Sequence, residues 1–154
     1  MLVEHHLMNP SETDRILGIC SNVLRSHSPV YRNWTEGDRI TMLRWYADMG
    51  LMLVVEDPDR TADGIQRDLS FCLVRFLSNV QSGLHSYFSD PAGDIVYIDY
   101  VYKGSNKGYL AMFLEGYNRW QPKSQVAFHR EDRQEGSYSL LPIRFCLRFC
   151  KTLC

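Results

Sequence analysis

Ile95-Val-Tyr-Ile-Asp99-Tyr-Val-Tyr-Lys-Gly-Ser-Asn-Lys-Gly108-Tyr-Leu110 decides the fold. Residues 95 to 102 are β-branched or aromatic almost throughout and follow the turn cluster Ser89-Asp-Pro-Ala-Gly-Asp94, which predicts a strand. Lys103 to Gly108 breaks that strand. Leu110, Phe113, Leu114 and Tyr117 then recur at helical spacing as far as Trp120, and Pro122 ends the helix. Gln125 to Arg130 predicts a further short strand.

Working outward, Leu2 to Met8 is a short apolar stretch containing His5 and His6 and predicts a strand, after which Ser11-Glu-Thr-Asp14 fits a capping box. Ile16, Ile19, Cys20, Val23 and Leu24 then predict an amphipathic helix over 12–26, closed near Ser28-Pro29. Thr35-Glu-Gly-Asp38 repeats the capping pattern, and Ile40, Leu43, Tyr46 and Ala47 give a second helix to about Met49, stopped by Gly50. Leu51 to Glu56 has strand length and is closed by a turn at Asp57-Pro58-Asp59. Leu69 to Leu77, nearly continuous in apolar residues but for Arg75, fits either a strand or a helix and reads better as a strand, and Tyr138 to Phe145, with Pro142 inside it, reads as an edge strand or extended tail. Strand, helix, helix, strands, helix, strand is the order of an α/β (α+β) fold with a mixed sheet flanked by helices, built as one domain over 1–154.

With 17 basic and 18 acidic residues and no long run of either sign, the chain offers no nucleic-acid groove and no polybasic membrane surface. No apolar run approaches the roughly 20 residues of a membrane span, and the amino terminus has no signal-peptide pattern, so a cytoplasmic protein is expected. Cys20, Cys72, Cys146, Cys150 and Cys154 are an odd set crowded towards the carboxyl end, which reads as free thiols and not as a secreted disulfide framework. Spaced by four, the last three would share a helix face. A tetrahedral metal site would still want a fourth ligand, and His85 and His129 have no recognisable partners.

A strand that enters a small-residue loop and then a helix leaves unpaired backbone N–H groups at the helix start, where phosphates bind. Gly104 and Gly108 would let the backbone approach a ligand and adopt positive φ, and Lys103 and Lys107 add favourable charge. The same pattern also describes an ordinary tight strand-to-helix connection.

Taken as one unit, Asp94 to Arg130 resembles the fourth strand, pyrophosphate loop and third helix of GNAT-fold acyltransferases. The family loop reads Arg/Gln-x-x-Gly-x-Gly/Ala; here Lys103 stands at the basic position, Asn106 at the first glycine and Gly108 at the second. Asn is among the few side chains that tolerate a left-handed backbone. The resemblance implies acyl-coenzyme A as co-substrate and no metal, held by Tyr100, Val101, Lys103, Gly104, Ser105, Asn106, Lys107 and Gly108. A narrower likeness lies upstream. Ser28-Pro-Val-Tyr-Arg-Asn-Trp34 is similar to a segment of the toxin-activating lysine acyltransferases, which take their acyl group from acyl carrier protein, and Tyr-Ile-Asp99-Tyr matches that family's Phe-Ile-Asp-Trp strand. Tyr31 occupies the position of that family's histidine.

Acyl transfer to an amine needs a group that takes a proton from the ammonium or the tetrahedral intermediate and donors that steady the developing oxyanion. Asp99 is the candidate base or orienter; strand alternation places it with Ile95, Tyr97 and Val101, and a carboxylate in so apolar a run is solvated in a cleft or paired with an Arg or Tyr. With an ordinary phenol pKa of about 10, Tyr31 is a poor base and the candidate general acid. Tyr117 lies on the apolar stripe of its helix and reads as core, while Arg32, Asn33 and Trp34 read as capping or packing against the second helix, with a substrate contact as the lesser alternative. The function so implied is N-acyl transfer to an amine-bearing protein or small molecule. The alternative is a catalytically inactive GNAT-like module that binds a protein partner, and the sequence leaves room for a homodimer.

Overall fold

The computed structural model of the 154-residue chain describes residues 3–5, 10–61, 67–79, 88–120, 122–128 and 139–144. Predictions for His6, His85, His129, Arg130, Tyr138 and the cysteines at 146, 150 and 154 lie outside them.

The described elements run β1 (Val3–His5), α1 (Pro10–His27), α2 (Glu36–Asp48), β2 (Met52–Thr61), β3 (Arg67–Leu77), β4 (Ile95–Tyr102), α3 (Asn106–Trp120), β5 (Gln125–Phe128) and β6 (Ser139–Pro142). The strands form one mixed sheet in the order β1-β2-β3-β4-β5-β6, flanked by helices, as an α/β (α+β) fold requires. Neighbours are antiparallel except β4 and β5, which run parallel because α3 carries the chain back between them.

α1 buries Ile16, Cys20 and Leu24 of the expected stripe together with Leu17, while Ile19 and Val23 are only partly buried at its margin. It begins at Pro10, ahead of the Ser11 capping box, since a fixed φ and a missing N–H suit the first helical position. α2 is capped as its sequence implies: Thr35 Oγ1 accepts from the Asp38 amide at 3.1 Å. After α2, Gly50 takes φ 70°. Asp57-Pro58-Asp59 does not end its strand. β2 continues to Thr61 through a shift of register between Asp57 and Thr61, an irregularity that accommodates a proline unable to donate to the ladder.

Register assigns the two faces of the sheet. Phe71, Leu73, Arg75 and Leu77 of β3 share one face, and Ser70, Cys72, Val74 and Phe76 the other. Tyr46 of α2 reaches Asp99, which itself binds Arg75, and the His27 ring of α1 lies 5.3 Å from that of Tyr102, so α1 and α2 cover the first face. α3 packs on β2 and β3 from the second, where a Cβ on Gly108 would come within 3.1 Å of Ser70 Oγ.

β4 is bulged at its centre. Leu73 pairs with Tyr100 and Val74 with Ile98, which leaves Asp99 as the extra residue. Strict alternation therefore fails at Asp99: Tyr97 and Tyr100 sit opposite Arg75 and Leu73 on the same face, and Val101 pairs with Cys72 on the other. A second close fit precedes the strand. A Cβ at Gly93 would stand 2.5 Å from the Leu77 carbonyl carbon and 2.7 Å from its oxygen. Gly93→Ala is expected to lower stability by about 1–3 kcal/mol in a thermal or urea melt, because backbone must move to admit the methyl group.

Candidate functional site

Tyr46, Arg75 and Asp99 meet under α2. Asp99 Oδ2 accepts from the Tyr46 hydroxyl at 2.6 Å and from Arg75 Nε at 2.8 Å, while Oδ1 accepts from Arg75 Nη2 at 2.9 Å and from Nε at 3.1 Å. The side chains of Arg75 and Asp99 are only 8% and 11% exposed, and Tyr46 is wholly buried. The guanidinium also lies 5.3 Å from the Tyr97 ring, its cross-strand partner. Burial pushes the Asp99 carboxyl above the usual carboxylate range against the pull of its bonds from Arg75 and Tyr46. Burial likewise raises Tyr46, helped by the Asp99 charge and hydrogen bond, and pushes Tyr97 up to about 12. These phenols stay protonated at neutral pH. A carboxylate held by three donor hydrogens, from the Tyr46 hydroxyl and from Nη2 and Nε of Arg75, the last shared between its two oxygens, has little left with which to take a proton from a substrate.

Tyr31 stands beside this cluster. It is 9% exposed, its amide donates to Ser28 Oγ at 3.2 Å, its ring meets that of Trp34 edge-on at 4.9 Å, and its phenol is near enough to Tyr46 to oppose that group's ionisation. The turn that carries Tyr31 is held by Arg39 of α2, a residue 4% exposed whose Nε donates to Ser21 Oγ at 3.0 Å and whose Nη1 donates to the carbonyls of Tyr31 and Trp34. Sequence reasoning brought Tyr31 and Asp99 forward; the structure bonds Asp99 to Tyr46, whose ionisation Tyr31 opposes. It passed over Arg75 and Tyr46, although an arginine inside an apolar strand is itself a signal that a carboxylate lies opposite.

Chain comparisons add no identification. Neither a known family model, a curated protein nor a solved structure matches the chain.

The predicted anion loop lies at the end of β4. Tyr100 packs its ring 5.7 Å from Phe71, and Val101 pairs with Cys72. Ser105 caps α3: its Oγ accepts from the Gly108 amide at 3.0 Å and its carbonyl from the Tyr109 amide at 2.9 Å. The Gly104 amide donates to Ser70 Oγ at 3.0 Å. Two loop amides are thus taken up internally, and helix geometry leaves those of Asn106 and Lys107 without an intrahelical acceptor. Neither Gly104 nor Gly108 takes positive φ; among the described glycines only Gly50 has it. Gly108 fits closely instead: a Cβ there would stand 3.1 Å from the hydroxyl oxygens of Ser70 and Ser105. Lys103 lies over the Tyr109 ring at 5.5 Å, and Lys107 is exposed. The Asn106 side chain lies outside the described residues.

An open cleft of about 580 Å³ lies elsewhere, lined by Asn33, Trp34, Thr35, Asp38, Thr41, Met42 and Trp45. Asn33 and Trp34, expected as packing residues, border it. Cys20 and Cys72 are buried and form no disulfide among the described residues, and burial pushes the Cys20 thiol up, away from reactivity. Among the described residues no group of three or more His, Cys, Asp or Glu could hold a metal ion, and no helix is long and apolar enough to cross a membrane.

Proposed function

We propose that the protein is a cytoplasmic GNAT-fold N-acyltransferase that moves an acyl group from acyl-coenzyme A, or from acyl carrier protein, to an amine on a protein or small molecule. The observation that carries this is the course of β4, which bulges at Asp99, opens through residues 103–105 into the amino terminus of α3, and returns through that helix to a parallel β5. A bulge beside a helix amino terminus brings a distorted strand edge and a positive helix end together, which suits a thioester carbonyl next to a pyrophosphate.

In this arrangement the Asn106 and Lys107 amides, with the Lys103 and Lys107 charges, take the pyrophosphate. The amine enters as its free base and attacks the thioester carbonyl, losing its remaining extra proton to solvent. As the C–S bond breaks, Tyr31 gives its proton to the departing thiolate, and the phenolate left behind is reprotonated from solvent. Asp99, held by Arg75, positions Tyr46 through its hydroxyl. Engagement of the Gly104 and Gly108 amides by Ser70 and Ser105 favours the second reading, a non-catalytic module of the same fold that binds a protein partner.

Isothermal titration with acetyl-coenzyme A and coenzyme A separates the two. Micromolar binding is expected, weakened at least about tenfold in Asn106→Glu, which sets a negative charge at the helix amino terminus. No heat and no thermal shift up to millimolar ligand would exclude the coenzyme, leaving acyl carrier protein or a partner protein to be titrated next.

A further inference from the structure

The cleft on α2 has a composition of its own. Two half-buried indoles, Trp34 and Trp45, and the buried Met42 supply its apolar wall, and the hydroxyls of Thr35 and Thr41 with the Asn33 amide supply neutral polar groups. Its one charged lining residue is Asp38, an exposed side chain with no ion-pair partner among the described residues, and no lysine, arginine or histidine borders it. The Asp38 amide is engaged by Thr35 Oγ1, so the first turn of α2 holds the residue at a fixed place on the rim. A volume of about 580 Å³ is that of a small-molecule site and not of a packing defect.

Aromatic faces attract cations, and they do so most strongly when the cation carries an apolar body that is desolvated alongside them. Each half of such a ligand has a counterpart here: indoles and thioether for the body, indole faces and the Asp38 carboxylate for the charge. An anion would meet only Asp38 and is excluded by it. Of the cationic side chains near the cleft in sequence, two are engaged elsewhere. Arg39 is buried against the Tyr31–Trp34 turn and Arg44 pairs with Asp14 at 2.8 Å, so neither neutralises the rim.

We infer that this cleft is a binding site for an organic ammonium ion with an aromatic or aliphatic body, recognised by Trp34, Trp45 and Asp38. The site stands whether or not the protein transfers an acyl group, since it lies on the helix-α2 side of the sheet and shares no lining residue with the loop at 103–108.

Two of the three tryptophans border the cleft and the third, Trp120, is buried in the core, so intrinsic fluorescence reports occupancy directly. The full chain is titrated with phenethyltrimethylammonium, with the neutral 3-phenylpropan-1-ol and with the anionic 3-phenylpropanoate, following quenching and heat. The ammonium is expected to bind about tenfold or more tightly than the alcohol, and the anion not at all. Asp38→Asn is expected to reduce ammonium affinity about tenfold and leave the alcohol unchanged. Thr41→Arg, which fills the cleft with a like charge, is expected to abolish ammonium binding. Both substitutions are at exposed positions of α2, so circular dichroism and melting should match the wild type. Equal affinity for all three compounds, no binding of the ammonium at millimolar concentration, or undiminished binding to both variants would overturn the assignment.

Discussion

Arg75→Met is expected to lower the folding stability by about 3–5 kcal/mol, because it leaves the Asp99 carboxylate buried without its counter-ion. For a domain of this size that is a fall of about 6–20 °C in melting temperature. Methionine nearly matches the aliphatic volume of the arginine, so lost packing is a minor part of the effect. The pH dependence distinguishes the mechanism. Burial holds the Asp99 carboxyl above its ordinary value even beside Arg75, which means that the folded state keeps this proton more tightly than the unfolded chain. The associated stability is present in full below the unfolded value of about 3.9 and is lost as pH rises through the raised folded value. Removing the guanidinium raises the folded value further. The deficit of Arg75→Met relative to the wild type should therefore be largest at neutral pH and shrink towards acid, where Asp99 is protonated in both proteins. Adding Asp99→Leu to Arg75→Met should recover much of the loss, giving a coupling energy of the sign a double-mutant cycle assigns to an ion pair. A deficit independent of pH, or one that the second substitution fails to relieve, would show that Arg75 acts through packing alone.

The same pair shows how far the sequence could be read. Ile95–Tyr102 was legible as a strand because its residue types agree with its burial; Glu36–Asp48 was legible because Thr35 and Gly50 mark its two ends. Asp57-Pro58-Asp59 misled because a turn signal is local, whereas the pairing of β2 with β3 is decided by residues on both sides of the proline. The need of Asp99 for an Arg or Tyr partner was legible from electrostatics, and Arg75 was visible as an interruption in an apolar strand. Joining them required the register of β3 on β4, including a bulge that no periodicity announces. The glycine loop was read as a cradle of positive-φ residues. In the fold its serines matter as much: Ser70, from a strand remote in sequence, occupies the Gly104 amide and packs beneath Gly108. The cleft was the least legible feature, since Trp34, Met42 and Trp45 look like core residues until α2 is seen to leave them open on one side.

Arg39→Leu is expected to cost about 2–4 kcal/mol, for a reason different from that at Arg75. Arg39 has no carboxylate partner among the described residues; its guanidinium answers Ser21 Oγ and the carbonyls of Tyr31 and Trp34. Leucine fills the space but donates nothing, so acceptors that folding has withdrawn from water are left unpaired. Those carbonyls belong to the turn between α1 and α2, and the loss should be felt first in the position of Tyr31 and Trp34. Lysine at the same position can restore one of the bonds and should recover part of the stability. Binding should divide accordingly. The ammonium cleft, which borrows Trp34 from this turn, should weaken in Arg39→Leu, while any affinity for coenzyme A at the loop before α3 should persist, because that helix packs on the opposite face of the sheet. Parallel melts and titrations of the wild type, Arg39→Leu and Arg39→Lys test this. Equal stability of all three would mean that water replaces the guanidinium without loss, and that the turn owes its shape to the Tyr31–Trp34 ring contact instead.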